Sequence, residues 1–102
     1  MFQEMVKAKN GEVEIGNSTI YNPSSWTSSS TYTFTKDYSV VIYQITSANN
    51  YLSRMKINNV ESTETNQLYQ INTAIFRNVK AGDVVTALGT GSTYSVTFIM
   101  FD

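Results

Sequence analysis

LYQINTAIFRNV (68–79), KAGD (80–83), VVTAL (84–88), GTGS (89–92) and TYSVTFIMF (93–101) close the chain, and their reading decides the fold. Side chains that alternate apolar and polar every second residue belong to strands with two different faces. In the last segment Tyr94, Val96, Phe98 and Met100 point one way. The opposite face begins polar with Thr93, Ser95 and Thr97 and ends apolar with Ile99 and Phe101. Between the first two strands, Lys80-Ala81-Gly82-Asp83 reads as a tight turn. Gly82 accepts a positive φ without a Cβ clash, and Asp83 can bond its own neighbouring backbone. Gly89-Thr90-Gly91-Ser92 reads as a second connecting loop.

Working outward, the same grammar repeats. YSVVIYQIT (38–46) is β-branched and apolar on both faces, with Val40 and Ile42 on one and Val41, Tyr43 and Ile45 on the other. Such a run suits a strand covered on both sides. Ala48-Asn49-Asn50 precedes a strand from Tyr51 to Ile57, which sets Tyr51, Met55 and Ile57 against Arg54 and Lys56. Asn58-Asn59 then supplies two residues that tolerate the left-handed conformation of a two-residue hairpin. Upstream, Glu12 to Ile15 and Thr31 to Thr35 alternate strictly, Lys36-Asp37 reads as a two-residue turn, and the only proline, Pro23, breaks the pattern. Residues 1–10 read as a loose N-terminal arm carrying Phe2 and Met5. The expectation is one domain over 1–102, all-β: a two-sheet antiparallel sandwich, jelly-roll-like, of about eight strands at the spacing such folds use.

Composition narrows the chemistry. Of 102 residues, 41% are hydrophobic, which supplies one modest core. Charged residues are only 15%, net charge is −1, and Ser, Thr and Asn make up about a third of the chain, as turns and polar strand faces require. There is no cysteine, so no disulfide or thiolate metal site exists. There is no histidine, so nucleophilic catalysis lacks its usual base. The seven basic residues are scattered and form no stripe, which argues against nucleic acid. No apolar run is long enough for a membrane helix, and MFQEMVKAKN lacks the apolar centre of a signal peptide.

Few residues suggest a site. Glu12 and Glu14 share a strand face about 7 Å apart, but paired carboxylates of glycosidases come from a deep cleft. Asp37, Glu61, Glu64, Asp83 and Asp102 show no calcium-loop spacing. The glycine loop at 89–92 lacks the lysine and helix of a phosphate cradle. We expect no catalytic residue, metal or cofactor. Trp26 stands in a Ser/Thr-rich stretch. There it either folds over one end of the core or, with Tyr21 and Tyr32, offers rings for stacking on a sugar. The apolar surplus of residues 38–46 and of the last strand needs a cover, from the N-terminal segment or from an identical copy; the expected interface between copies is built from Tyr43, Ile45, Ile99 and Phe101.

The run Phe76-Arg77-Asn78-Val79-Lys80-Ala81-Gly82-Asp83-Val84-Val85 resembles the strand, Lys-x-Gly-Asp, strand segment of C1q/TNF-like jelly-roll domains. Tyr94-Ser95-Val96-Thr97-Phe98-Ile99-Met100-Phe101 is similar to their aromatic final strand. Small Ser/Thr/Asn-rich domains of this sort also resemble head domains of bacteriophage tail and fibre proteins. The resemblance covers the last third of the chain. It implies a homotrimer, on a virion or extracellular surface, that binds a cell-surface glycan or another virion protein rather than transforming a substrate. The function expected is therefore a non-catalytic structural or receptor-binding module; the alternative is a carbohydrate-binding module using Trp26, Tyr21 and Tyr32.

Overall fold

The computed structural model describes residues 6–9, 11–23, 26–27, 29–47, 54–68, 71–88 and 94–102. The turn expected at 48–50, the glycine loop at 89–92, Phe2, Met5, Tyr51 and Tyr69 lie outside the described residues. Eleven strands are present among those described: β1 (Val6–Lys9), β2 (Glu12–Ile15), β3 (Ser18–Tyr21), β4 (Thr31–Thr33), β5 (Tyr38–Ser47), β6 (Arg54–Ile57), β7 (Val60–Glu61), β8 (Glu64–Leu68), β9 (Ile71–Val79), β10 (Val84–Leu88) and β11 (Tyr94–Phe101). The number exceeds eight in part because the N-terminal arm contributes β1.

The strands form two antiparallel sheets. The large one has the order β1-β2-β3-β11-β5-β9-β8, and the small one β4-β10-β6-β7. Setting β1, β2 and β8 aside, the remaining eight pair as β3 with β11, β4 with β10, β5 with β9 and β6 with β7. First pairs with last, second with next to last, and so inward. That is one long antiparallel ribbon wound on itself, the jelly-roll winding.

The ribbon doubles back at Asn58-Asn59, where φ is 50° and 66° and Ile57 pairs directly with Val60. Two consecutive positive φ angles are what a two-residue hairpin matched to strand twist requires. The Lys80–Asp83 turn does something else. It carries the chain from β9 in the large sheet to β10 in the small one, so it is a corner between sheets and not a hairpin. Gly82 sits at φ +91°, with nothing near the position a Cβ would take. Only the backbone conformation therefore demands glycine there. Lys36-Asp37 likewise joins β4 to β5 across the sheets.

Hydrogen bonds tie this corner to its neighbours. Gly82 N donates to Phe34 O at 2.8 Å and Phe34 N to Asp83 O at 2.9 Å. Ala81 N donates to the Asp37 carboxylate and Lys80 N to the Asp83 carboxylate, both at 2.9 Å. The Asn58 amide donates to Asp83 at 2.9 Å and accepts from Val84 N at 3.0 Å. Three connections thus share one bonded knot at the same end of the sandwich.

Between the sheets lies a single core. Val41, Tyr43, Ile45, Ala74, Val96, Phe98 and Met100 meet Trp26, Phe34, Met55, Ile57 and Val85, all buried. Tyr43 and Ile45 were expected at a subunit interface, and the structure corrects this: both are 1% exposed and fill the sandwich. Alternation defines two faces of β5 but not which one meets the second sheet. The Tyr43 hydroxyl settles there by accepting a hydrogen bond from Met55 N at 3.1 Å.

Candidate functional site: the outer face of the large sheet

Residues directly opposite across an antiparallel pair share a face, so the registers sort every described strand of the large sheet. The partners of buried Val96, Phe98 and Met100 are Ile45, Tyr43 and Val41, and they face inward. The intervening residues face away from the small sheet. Val13 opposite Ile20, Ile20 opposite Ile99, Ile99 opposite Ile42, and Ile42 opposite Ile75 make one unbroken aliphatic row across β2, β3, β11, β5 and β9. The next row holds Ile15, Ser18, Phe101, Val40 and Arg77. Apart from exposed Ile15 and Arg77, these residues are partly exposed. Beyond the aliphatic row on its other side the face turns polar, with Thr97, Gln44 and Thr73.

The opposite side of the same sheet is polar wherever the sheet overhangs the small one. On β8, Thr65 and Gln67 share the inner side with Ala74 and Asn72, and both are exposed. On β2, Glu12 and Glu14 share it with Tyr21 and Thr19. The outer positions are Val13 and Ile15 on β2 and Glu64, Asn66 and Leu68 on β8; Ile15 is 45% and Leu68 63% exposed. On β2 the inner side thus carries carboxylates and the outer side aliphatic groups, whereas β8 is polar on both sides except at Leu68. Burial in this chain does not explain that asymmetry.

Charge is sparse on the outer face. Its charged side chains among the described residues are Arg77 and Glu64, bonded to each other at 2.7 Å at the β8–β9 edge. The guanidinium holds the Glu64 carboxyl below its ordinary range, by hydrogen bonding first and charge second. Ile99 and Phe101, expected at an interface from the sequence, lie on this face.

The three aromatic residues expected to bind a sugar do come together, but around Phe98. Tyr21 and Tyr32 rings lie 4.6 Å apart, Tyr21 is 5.8 Å and Trp26 5.6 Å from Phe98. Trp26 is 2% exposed, so its ring faces are taken up by the core, and Tyr21 and Tyr32 are only partly exposed. The Tyr32 hydroxyl points to Glu12 Oε2 at 3.5 Å, which gives that carboxylate a phenol as neighbour.

The other carboxylates are spread over separate partners. Asp102 meets Lys36 at 2.7 Å, Glu61 meets Arg54 at 3.3 Å, and Asp37 meets Lys80 at 3.9 Å. Among the described residues no three acidic groups converge. An open depression of about 310 Å³ lies beside Thr63, Glu64, Thr65, Asn66 and Thr73 at the β8 edge. Ala74 and Ile75 complete its lining, which is more apolar than polar, and Glu64 is its one titratable side chain.

The tyrosines give a pH prediction. Burial pushes the hydroxyls of Tyr21, Tyr32, Tyr38 and Tyr43 above the ordinary value of 10.0, and the Glu12 carboxylate adds to this at Tyr32. The folded state therefore favours the neutral phenol. Its contribution is complete below pH 10 and is lost as pH rises through the raised values. We expect the far-ultraviolet dichroism to collapse above about pH 10, with tyrosinate absorbance rising in the same cooperative step. Ionisation of all tyrosines near pH 10 with the sheet signal intact would contradict the packing.

Compared with models of protein families, with curated proteins and with solved structures, the chain matches none.

Proposed function

We propose that this chain is a non-catalytic structural or receptor-binding module, an assembly or head protein of the phage type that its C-terminal strands resemble. The observation that supports this reading is the outer face of the large sheet: broad, aliphatic at its centre and nearly free of charge. Surfaces of that composition bind macromolecules, whereas transformation of small substrates calls for a concave pocket with convergent polar groups. The ribbon winding gives such a module a rigid platform, because each sheet buttresses the other.

The test is an activity panel of glycosides, esters and phosphoesters with the native chain and the Glu12→Gln and Glu14→Gln variants. We expect no turnover above buffer for any of the three. Turnover by the native chain that either substitution removes would sink the proposal, since it would turn the β2 carboxylates into working acid–base groups.

A further inference from the structure

Resting on the binding-module reading, we infer that the outer face of the large sheet packs against the same face of a second copy of this chain. Three observations carry this. The first is the aliphatic row itself and the contrast between the two sides of β2. There the inner positions are Glu12 and Glu14 and the outer ones Val13 and Ile15. Val13 continues the row that Ile20, Ile99, Ile42 and Ile75 form, and Ile15 the row beside it, so this part of the outer side is matched to a cover.

The second is size. Strands about 4.8 Å apart and side-chain rows about 7 Å apart give each outward position roughly 33 Å². Four such positions on each of β11, β5 and β9, three on β8 and two on each of β2 and β3 make roughly 600 Å², the lower end of what each partner contributes to a standard stable interface. The aliphatic row and its neighbour form the centre, roughly 300 Å² in projection, and the hydroxyl and amide rows form a rim.

The third is charge. The Arg77–Glu64 pair is internally neutral and lies at the edge. The face therefore does not repel its own copy. It also offers no excess of cations to an anionic lipid surface and no excess of either sign to a charged foreign partner. Ile20, Ile99, Ile42 and Ile75 stand at equal height across adjacent strands, so one sheet seats on another of the same twist with the rows in contact, as stacked sheets do.

The experiment is light scattering with sedimentation equilibrium on the full chain at micromolar concentration. The variants are Ile42→Glu, the milder Ile42→Thr and Ile20→Thr, and Val60→Thr as a control; Val60 is exposed on β7 of the small sheet. We expect the native chain and the control at a multiple of the 11.4 kDa chain mass. Ile42→Glu, which buries a charge, should weaken self-association at least about a hundredfold. Each threonine variant should weaken it about tenfold while circular dichroism stays native. If the glutamate variant unfolds, the threonine pair decides.

A native chain that is monomeric overturns the inference. Such a monomer that does not bind a hydrophobic dye would cover the face with its own residues, and one that does would point to a foreign partner. An oligomer dissociated by Val60→Thr but not by the isoleucine variants also overturns the inference. The module reading then stands or falls separately, on the activity panel.

Discussion

Trp26→Ala is expected to lower the free energy of unfolding by about 3–5 kcal/mol, the range for emptying an aromatic site in a packed core. Urea unfolding followed by circular dichroism measures it. The side chain is 2% exposed and meets Phe98 at 5.6 Å, with Tyr21 and Tyr32 stacked on the same ring. Removing the indole leaves a void that two sheets held by ladder hydrogen bonds cannot close by moving together. Total stabilities of about 5–15 kcal/mol are usual for such domains, so this single change removes a large share. Trp26→Phe should cost much less. It keeps a ring against Phe98, and it removes a buried indole N–H that has no acceptor among the described residues, a group that costs about 1–3 kcal/mol when left unpaired. A Trp26→Ala protein within about 1 kcal/mol of the native chain would place the ring outside the core and restore it as a surface for sugars.

The second large effect belongs to Asn58. Its side chain donates to Asp83 and accepts from Val84 N, its backbone N–H donates to Val84 O at 2.9 Å, and its φ is 50°. Asn58→Ala loses both side-chain bonds, at about 0.5–1.5 kcal/mol each. It also forces a Cβ-bearing residue without a local polar compensation into the left-handed region, at about 1 kcal/mol more. We expect a loss of about 2–3 kcal/mol. Asn58→Gly loses the bonds but not the conformation, and should recover about 1 kcal/mol of that. The two variants, compared by their urea midpoints, separate side-chain bonding from backbone strain. Equal losses would mean that the conformation of the hairpin is not limiting.

Both sites show where sequence reasoning reaches. Asn58-Asn59 and Gly82 were legible because positive φ is a local property with a short list of tolerant residues. Asn78, at φ 57° inside β9, was not, since a lone Asn between Arg77 and Val79 gives no turn signal. The two faces of β5 were legible from alternation, but their assignment was not. Tyr43 and Ile45 pack inward only because Met55 and its strand lie on that side, which is a long-range fact. The aliphatic row was invisible for a related reason. Ile20, Ile42, Ile75 and Ile99 come from four separate strands, and only the registers set them side by side. Trp26 sits among serines and threonines, a composition that leaves two readings, a ring folded over one end of the core or a ring offered to a sugar; contacts with Phe98 on a distant strand bury it. The turn at Lys80–Asp83 was read correctly as sharp, but a sharp turn does not declare whether the next strand pairs with the last or departs to another sheet.

The position of β11 has a consequence for how this molecule is made. It lies between β3 and β5, with Ile99 opposite both Ile20 and Ile42. During synthesis the middle of the large sheet therefore remains a gap, flanked by two strands with unpaired edges, until this late segment leaves the ribosome. Pairing across so great a chain separation is slow, in the range of milliseconds to seconds for β topologies. Until it happens those open edges invite the wrong neighbours, so the nascent chain is vulnerable to aggregation from the emergence of β5 until β11 has paired.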